Sequence, residues 1–118
     1  MTYDVRPTAS ALADALAIGD RVRAARCPDN ADRWLRALMS ALKGHAEYPR
    51  RCPRAPENDA VAAFEIRNLI FGDYRVLFSI IDRRVFVLHI RHCRRRQATP
   101  GELVVAMDQV GRMRRLRR

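Results

Sequence analysis

Seven residues in the second half of the chain could grip or break a phosphodiester: Arg67, Arg75, Arg91, His92, Arg94, Arg95 and Arg96. Arginine forks stabilise a pentacovalent phosphate, and a histidine among them can act as general acid or base. A metal-free ribonuclease is therefore one chemistry open to this set. The same groups can also simply hold phosphates or a carboxylate-rich protein surface. Two plainer roles stand beside these. Arg75 can be a strand arginine in an internal ion pair to Glu65, and His92 can be a half-buried histidine at the end of a sheet.

Other chemistries find little support. The sequence has no HExxH, no GxGxxG and no Walker loop. His89 and His92 sit beside Cys93, but alternation along a strand sends the two imidazoles to opposite faces, so no metal site is expected. Cys27, Cys52 and Cys93 are far apart and form no CxxC pair, which suggests neither a zinc site nor a disulfide framework. No carboxylate pair stands out, and Glu65 and Asp73, which flank a strand, read as structural. No cofactor is expected.

The charge is concentrated. The chain has 23 basic and 13 acidic residues, a net of +10, and Lys43 is its single lysine. Residues 83–118 carry eleven arginines against Glu102 and Asp108, which is +9, and residues 1–82 carry the remaining +1. A basic end of this kind suits a nucleic-acid surface or an acidic partner. It also suits a solvated, self-repelling tail.

These residues need a scaffold, and the rest of the sequence predicts one. A chain of 118 residues with 48% hydrophobic content fits one domain with a real core. Residues 1–98 form its body, and residues 99–118 form a basic C-terminal helix or tail of the same domain. No apolar run approaches the ~18 residues of a membrane span, and the N-terminus lacks an apolar signal region. A cytoplasmic location without membrane contact is expected.

Thr2 to Arg6 predict a short strand, stopped by Pro7, with Thr8 as N-cap of a helix over about 9–26. Leu12, Leu16 and Val22 lie roughly on one face of it. Cys27-Pro28-Asp29-Asn30 ends that helix and caps the next. There Ala31, Trp34, Leu35, Leu38, Met39 and Leu42 follow helical spacing, and Gly44 and Pro49 close the element. The short link predicts an antiparallel helical hairpin. After an irregular proline-rich loop, strands are predicted at 64–70, 74–81 and 85–92. Thr99, Pro100 and Glu102 make a capping box for a last helix with Leu103, Met107, Val110, Met113 and Leu116 on its stripe.

Register follows from alternation. Val76, Phe78 and Ile80 share one face, as do Phe86, Leu88 and Ile90. Joining these two sets on one face calls for a three-residue turn at Asp82-Arg83-Arg84. The other face then carries Arg75, Leu77 and Ser79 beside Val87, His89 and Arg91, partly covered and partly available. The expected fold is α+β: an N-terminal strand, a helical hairpin, a three-stranded antiparallel sheet and a C-terminal helix.

Three stretches carry a resemblance: Glu65-Ile66-Arg67-Asn68-Leu69, Asp73-Tyr74-Arg75-Val76-Leu77-Phe78-Ser79-Ile80, and Val85-Phe86-Val87-Leu88-His89-Ile90-Arg91-His92-Cys93-Arg94-Arg95. Together they resemble the RelE/ParE superfamily of bacterial toxins, the toxin halves of type II toxin–antitoxin operons, also called plasmid stabilisation proteins. Upstream, Ala31-Asp32-Arg33-Trp34-Leu35, Glu47-Tyr48-Pro49-Arg50-Arg51-Cys52-Pro53 and Ala55-Pro56-Glu57 are similar to the ParE-like branch. The resemblance covers about residues 2–96 and implies the same element order.

It also implies two mechanisms. RelE-like members cleave mRNA on the ribosome with two arginines, two lysines and a tyrosine. Arg75 and Arg95 match the arginines, whereas the lysine positions fall on Ile66 and Asn68 and the tyrosine position falls near Gly101. Some nuclease members place a histidine where His92 stands. ParE-like members lack the nuclease set and poison DNA gyrase. The missing lysines and tyrosine tilt the reading to a non-enzymatic ParE-like toxin, with Arg67, Arg75, Arg91, Arg94, Arg95 and Arg96 as target or partner contacts. The alternative is a ribosome-dependent endoribonuclease with His92, Arg75 and Arg95 as its catalytic groups. A third reading is a plain nucleic-acid-binding module. The resemblance implies a cognate antitoxin as partner, covering the sheet's mixed face, and either a homodimer or a toxin–antitoxin hetero-oligomer.

Overall fold

The computed structural model describes residues 3–25, 28–45, 51–61 and 64–115. Strand β1 (Asp4–Pro7) leads into α1 (Ala9–Ala25) and α2 (Pro28–His45). A 3-10 turn at Pro56–Ala60 precedes β2 (Arg67–Phe71), β3 (Tyr74–Ile81), β4 (Arg84–His92) and α3 (Pro100–Arg115). Cys27, Pro49 and Leu116, and the side chains of Val22, Ala31, Trp34, Leu35 and Met39, lie outside what is described. Among the described residues, no helix is long and apolar enough to cross a membrane.

The element order is the expected one, with one addition. The N-terminal strand joins the sheet, which is four-stranded with order β1-β4-β3-β2. β1 runs parallel to β4, and the other two pairings are antiparallel. Pro7 is tolerated because β1 is an edge strand, where a missing N–H costs no ladder bond.

β1 stops at the level of Val87, and α1 takes over the outer edge of β4. The Thr8 amide donates to Val87 O at 3.0 Å. Its hydroxyl donates to Val87 O at 2.8 Å and Leu88 O at 3.2 Å. The same hydroxyl accepts the Ala11 amide at 3.2 Å, which is the expected N-cap. Further along, Asp14 Oδ2 accepts the Ile90 amide at 3.0 Å.

The register between β3 and β4 differs from expectation. The turn is two residues, Asp82 and Arg83, and it is closed by the Ile81–Arg84 pair. Asp82 takes φ 57°, a left-handed conformation that aspartate tolerates better than branched residues. Ile80 then pairs with Val85 and Phe78 with Val87, so Val85 and Val87 share the face of Val76 and Phe78. A bulge follows. Leu77 pairs with His89 while Phe78 pairs with Val87, leaving Leu88 as the extra residue. The bulge returns Ile90 to the face of Val76, so Phe86 and Leu88 are separated from Ile90, with which alternation had grouped them.

The sheet is covered on both faces. One core joins Ala11, Ile18, Leu38 and Leu42 from the helical hairpin to Leu69, Val76, Phe78, Val85, Val87 and Ile90. The second joins Leu77, Phe86 and Leu88 to Leu103, Ala106 and Val110 of α3 and to Ala55 and Val61 of the loop. The face expected to be partly open is therefore occupied by α3 and the loop. The α3 stripe includes Leu103 and Val110 as expected, with Met107 and Met113 partly buried.

α1 also faces differently from expectation. Leu12 and Leu16 are 52% and 66% exposed, and the inward positions are Ala11, Ala15 and Ile18. Small inward side chains bring the helix close enough to the sheet for Thr8 and Asp14 to reach β4. The larger leucines are left outside.

Candidate functional site

Arg75 is committed to a partner. Its Nη1 donates to Glu57 Oε1 at 3.0 Å and its Nη2 to Glu57 Oε2 at 2.7 Å. Glu57 is fully buried, and its Oε2 also accepts the Ala98 amide at 3.0 Å. Burial works to raise the Glu57 carboxyl, but the Arg75 fork and the Ala98 amide outweigh it and hold its pKa below the usual value. Hydrogen bonding to Glu57 raises the Arg75 pKa against its own burial. An internal ion pair was one expected role for Arg75, but its partner is Glu57. Glu65 instead binds Arg67 at 2.6 Å and Arg54 at 3.4 Å.

Arg91 is buried beside Arg75, which it faces across the β3–β4 pair. It pairs with Glu102 and donates to Arg96 O at 3.3 Å, while its Nε has no partner among the described residues. Glu102 in turn closes the capping box. It accepts from the Thr99 amide at 3.2 Å, and Thr99 Oγ1 accepts the Glu102 amide at 3.2 Å. Desolvation opposes ionisation of Glu102, but the Thr99 contacts and the charges of Arg91 and Arg96 prevail and bring its pKa to about 2. Arg67 donates to Cys52 O at 2.6 Å. Burial pushes the neighbouring Cys52 thiol up, with Arg67 opposing.

The exposed cations lie in the turn after β4. Arg96 is held loosely by Glu102 at 3.3 Å. Arg94 and Arg95 are exposed, and their side chains form no ion pair among the described residues. His92 is half-buried, with its ring edge-on to Tyr74 at a centroid distance of 5.3 Å. Its Nδ1 accepts the Arg94 amide at 3.1 Å. His92 and Arg95 share a small crevice with Asp14, Arg21 and Tyr74. Arg75 points to the other face of the sheet, toward Glu57 and α3. The three residues grouped as a nuclease set are therefore not brought together.

Alternation placed His89 and His92 on opposite faces, and the register keeps them so at the backbone, with His89 paired to Leu77 and His92 to Tyr74; both nevertheless lie near Asp14 of α1. His89 Nδ1 lies 2.7 Å from Asp14 Oδ2, and its buried Nε2 has no partner among the described residues. Asp14, Arg21, Tyr74 and Glu57 were absent from the sequence-derived set. Asp14 carried a readable signal, being an acid on the inward face of α1, between Ala11 and Ile18.

A separate surface is apolar. Val5, Pro7, Leu12, Leu16, Leu42 and Val87 line a groove of about 270 Å³ between β1, α1 and α2.

Comparison with known proteins follows this geometry. A family model described as the ParE toxin of the type II toxin–antitoxin system parDE matches residues 5–97. No curated protein sequence matches the chain. Among solved structures, a chain of the chromosomal ParDE toxin–antitoxin system from P. aeruginosa superposes with a TM-score of 0.63 at 18% identity. That match covers 77% of this chain and 96% of the other. A chain of the toxin–antitoxin complex RelBE2 from Mycobacterium tuberculosis gives 0.50 at 25% identity, covering 78% and 99%.

Proposed function

Since the chain belongs to the ParE toxin family of type II toxin–antitoxin systems, we propose that it arrests growth in the cytoplasm by poisoning DNA gyrase and is neutralised by a cognate antitoxin. One observation carries the preference for gyrase over mRNA. Arg75 is locked to buried Glu57 on one face of the sheet, while His92 and Arg95 lie on the other. A phosphodiester cleaved by general acid–base chemistry needs its cation clamp and its proton donor within reach of one reacting group. The positions matching the nuclease lysines are Ile66 and Asn68, both buried and uncharged. The exposed Arg94 and Arg95 are the surface offered to the target.

The apolar groove beside α1 supports a place for the antitoxin there. Leu12 and Leu16 are large, adjacent on the helix and exposed, which is costly in water unless covered. The chain's charge of +10 favours an acidic partner with an amphipathic segment.

A plasmid supercoiling assay with purified gyrase tests the target. The expected result is loss of supercoiling with cleaved DNA trapped on the enzyme, weakened by Arg94→Ala/Arg95→Ala. A folded protein without effect on gyrase, but cutting transcripts only when ribosomes are present and losing this on His92→Ala, would overturn the reading in favour of an endoribonuclease.

A further inference from the structure

The middle of α1 and the far ends of β3 and β4 enclose a crevice of about 80 Å³, lined by Asp14, Arg21, Tyr74, His92 and Arg95 over an apolar floor. We propose that this crevice binds a phosphoryl group. The inference does not rest on gyrase being the target.

The crevice is biased toward anions. Its one carboxylate, Asp14, already has Oδ2 engaged by His89 Nδ1 at 2.7 Å and by the Ile90 amide at 3.0 Å. Its two guanidinium groups, on Arg21 and Arg95, form no ion pair among the described residues. Arg67, Arg75, Arg91 and Arg96 differ in this respect, because each is held by a carboxylate. The uncommitted charge near the end of the sheet therefore gathers at this crevice and at neighbouring Arg94.

His92 supplies a fixed donor. Because Nδ1 accepts the Arg94 amide, the proton of the neutral ring sits on Nε2. Tyr74, edge-on at an interplanar angle of 77°, limits rotation of the ring. Donors thus approach from the helix through Arg21, from the strand end through His92, and from the turn through Arg95. A non-planar set of donors suits the tetrahedral oxygens of a phosphoryl group better than a flat carboxylate. The volume admits one such group. The group can come from a free phosphate or nucleotide, or from one link of a nucleic-acid backbone running out past Arg94.

The test follows the His92 ring by NMR during titration of the full chain with inorganic phosphate, and separately measures anisotropy of a fluorescein-labelled oligothymidylate. Phosphate is expected to move the His92 ring resonances and leave those of His89 in place. Arg21→Gln and Arg95→Gln are each expected to weaken phosphate binding by about tenfold, as for loss of one charge-assisted contact. Arg33→Gln and Arg36→Gln remove the same charge from exposed positions on α2 and are expected to change it less than about twofold. If oligothymidylate shifts His92 and competes with phosphate, the source is a phosphodiester chain. If phosphate shifts His92 and oligothymidylate does not, the source is a free phosphate. An unmoved His92 ring, or equal losses in the α2 variants, would overturn the proposal.

Discussion

Arg75 and Glu57, eighteen residues apart, meet through two parallel hydrogen bonds of 3.0 and 2.7 Å. The carboxylate is fully buried and the guanidinium is 12% exposed. The strand arginine that looked most like a phosphate clamp therefore joins the loop before β2 to the sheet. Through the Ala98 amide, Glu57 also fixes the approach to α3.

Breaking this pair from one side should be expensive. Removing one partner of a buried ion pair leaves an uncompensated charge and typically costs ~3–5 kcal/mol. Arg75→Ala is expected to lower the unfolding free energy, read from urea titration, by an amount of that order. The double variant Arg75→Met/Glu57→Leu should recover much of the loss, since neither charge is then stranded. A single variant as stable as the parent chain would remove Arg75 from this structural role.

Acid should loosen α3 first. The Glu102 carboxyl has its folded pKa near 2, below the ordinary glutamate value of about 4.3. Its contribution is complete above the ordinary value and disappears as pH falls toward the folded one. Glu57 is lowered in the same direction. Urea unfolding measured down the acid range should show stability falling over this interval. Glu102→Gln should flatten the profile there and be less stable than the parent at neutral pH. Thr99→Ala, which removes the cap, should cost about 1 kcal/mol at neutral pH.

Asp14 replaces a missing neighbour strand. Past Val87, β4 has no strand on its outer edge, and the Ile90 amide and His89 imidazole both turn to this one carboxylate. Asp14→Ala should cost ~1–3 kcal/mol, the usual penalty for stranding buried polar groups. Hydrogen exchange at the Ile90 amide should accelerate by more than at Val76, which is inside the sheet. Unchanged protection at Ile90 would mean that another group covers the edge.

Leu12 and Leu16 should matter to a partner and little to the fold. Both are exposed, so Leu12→Glu/Leu16→Glu is expected to alter stability within about 0.5 kcal/mol per site. Affinity for an antitoxin that binds the chain, measured by calorimetry, is expected to fall at least about tenfold, the cost of leaving two apolar anchors uncovered. Undiminished affinity would place the antitoxin elsewhere.

The element order and both helix caps were legible because their causes are local. Thr8 and Thr99 each bond an amide three residues on, and helix or strand periodicity needs only a window of neighbours. The hairpin between β3 and β4 was legible for the same reason. Its register was not, because the choice between a three-residue turn and a two-residue turn with a bulge depends on what each face packs against. The leucines of α1 misled for a related reason. Hydrophobicity marks what prefers burial, but helix-to-sheet distance decided that the alanines and Ile18 face inward.

The amino-acid sequence by itself determined the element order, the cap residues, the concentration of positive charge in the last third and the chemistry available to each side chain. Only the tertiary structure decided which charges are used up and which remain. Arg75 found Glu57, Arg91 found Glu102 and His89 found Asp14, over separations of 18, 11 and 75 residues. Arg94 and Arg95 found no such partner among the described residues. Ion pairing requires atoms to meet within a few ångströms, and for partners this far apart in the chain only the packing of the sheet between its helices brings them there.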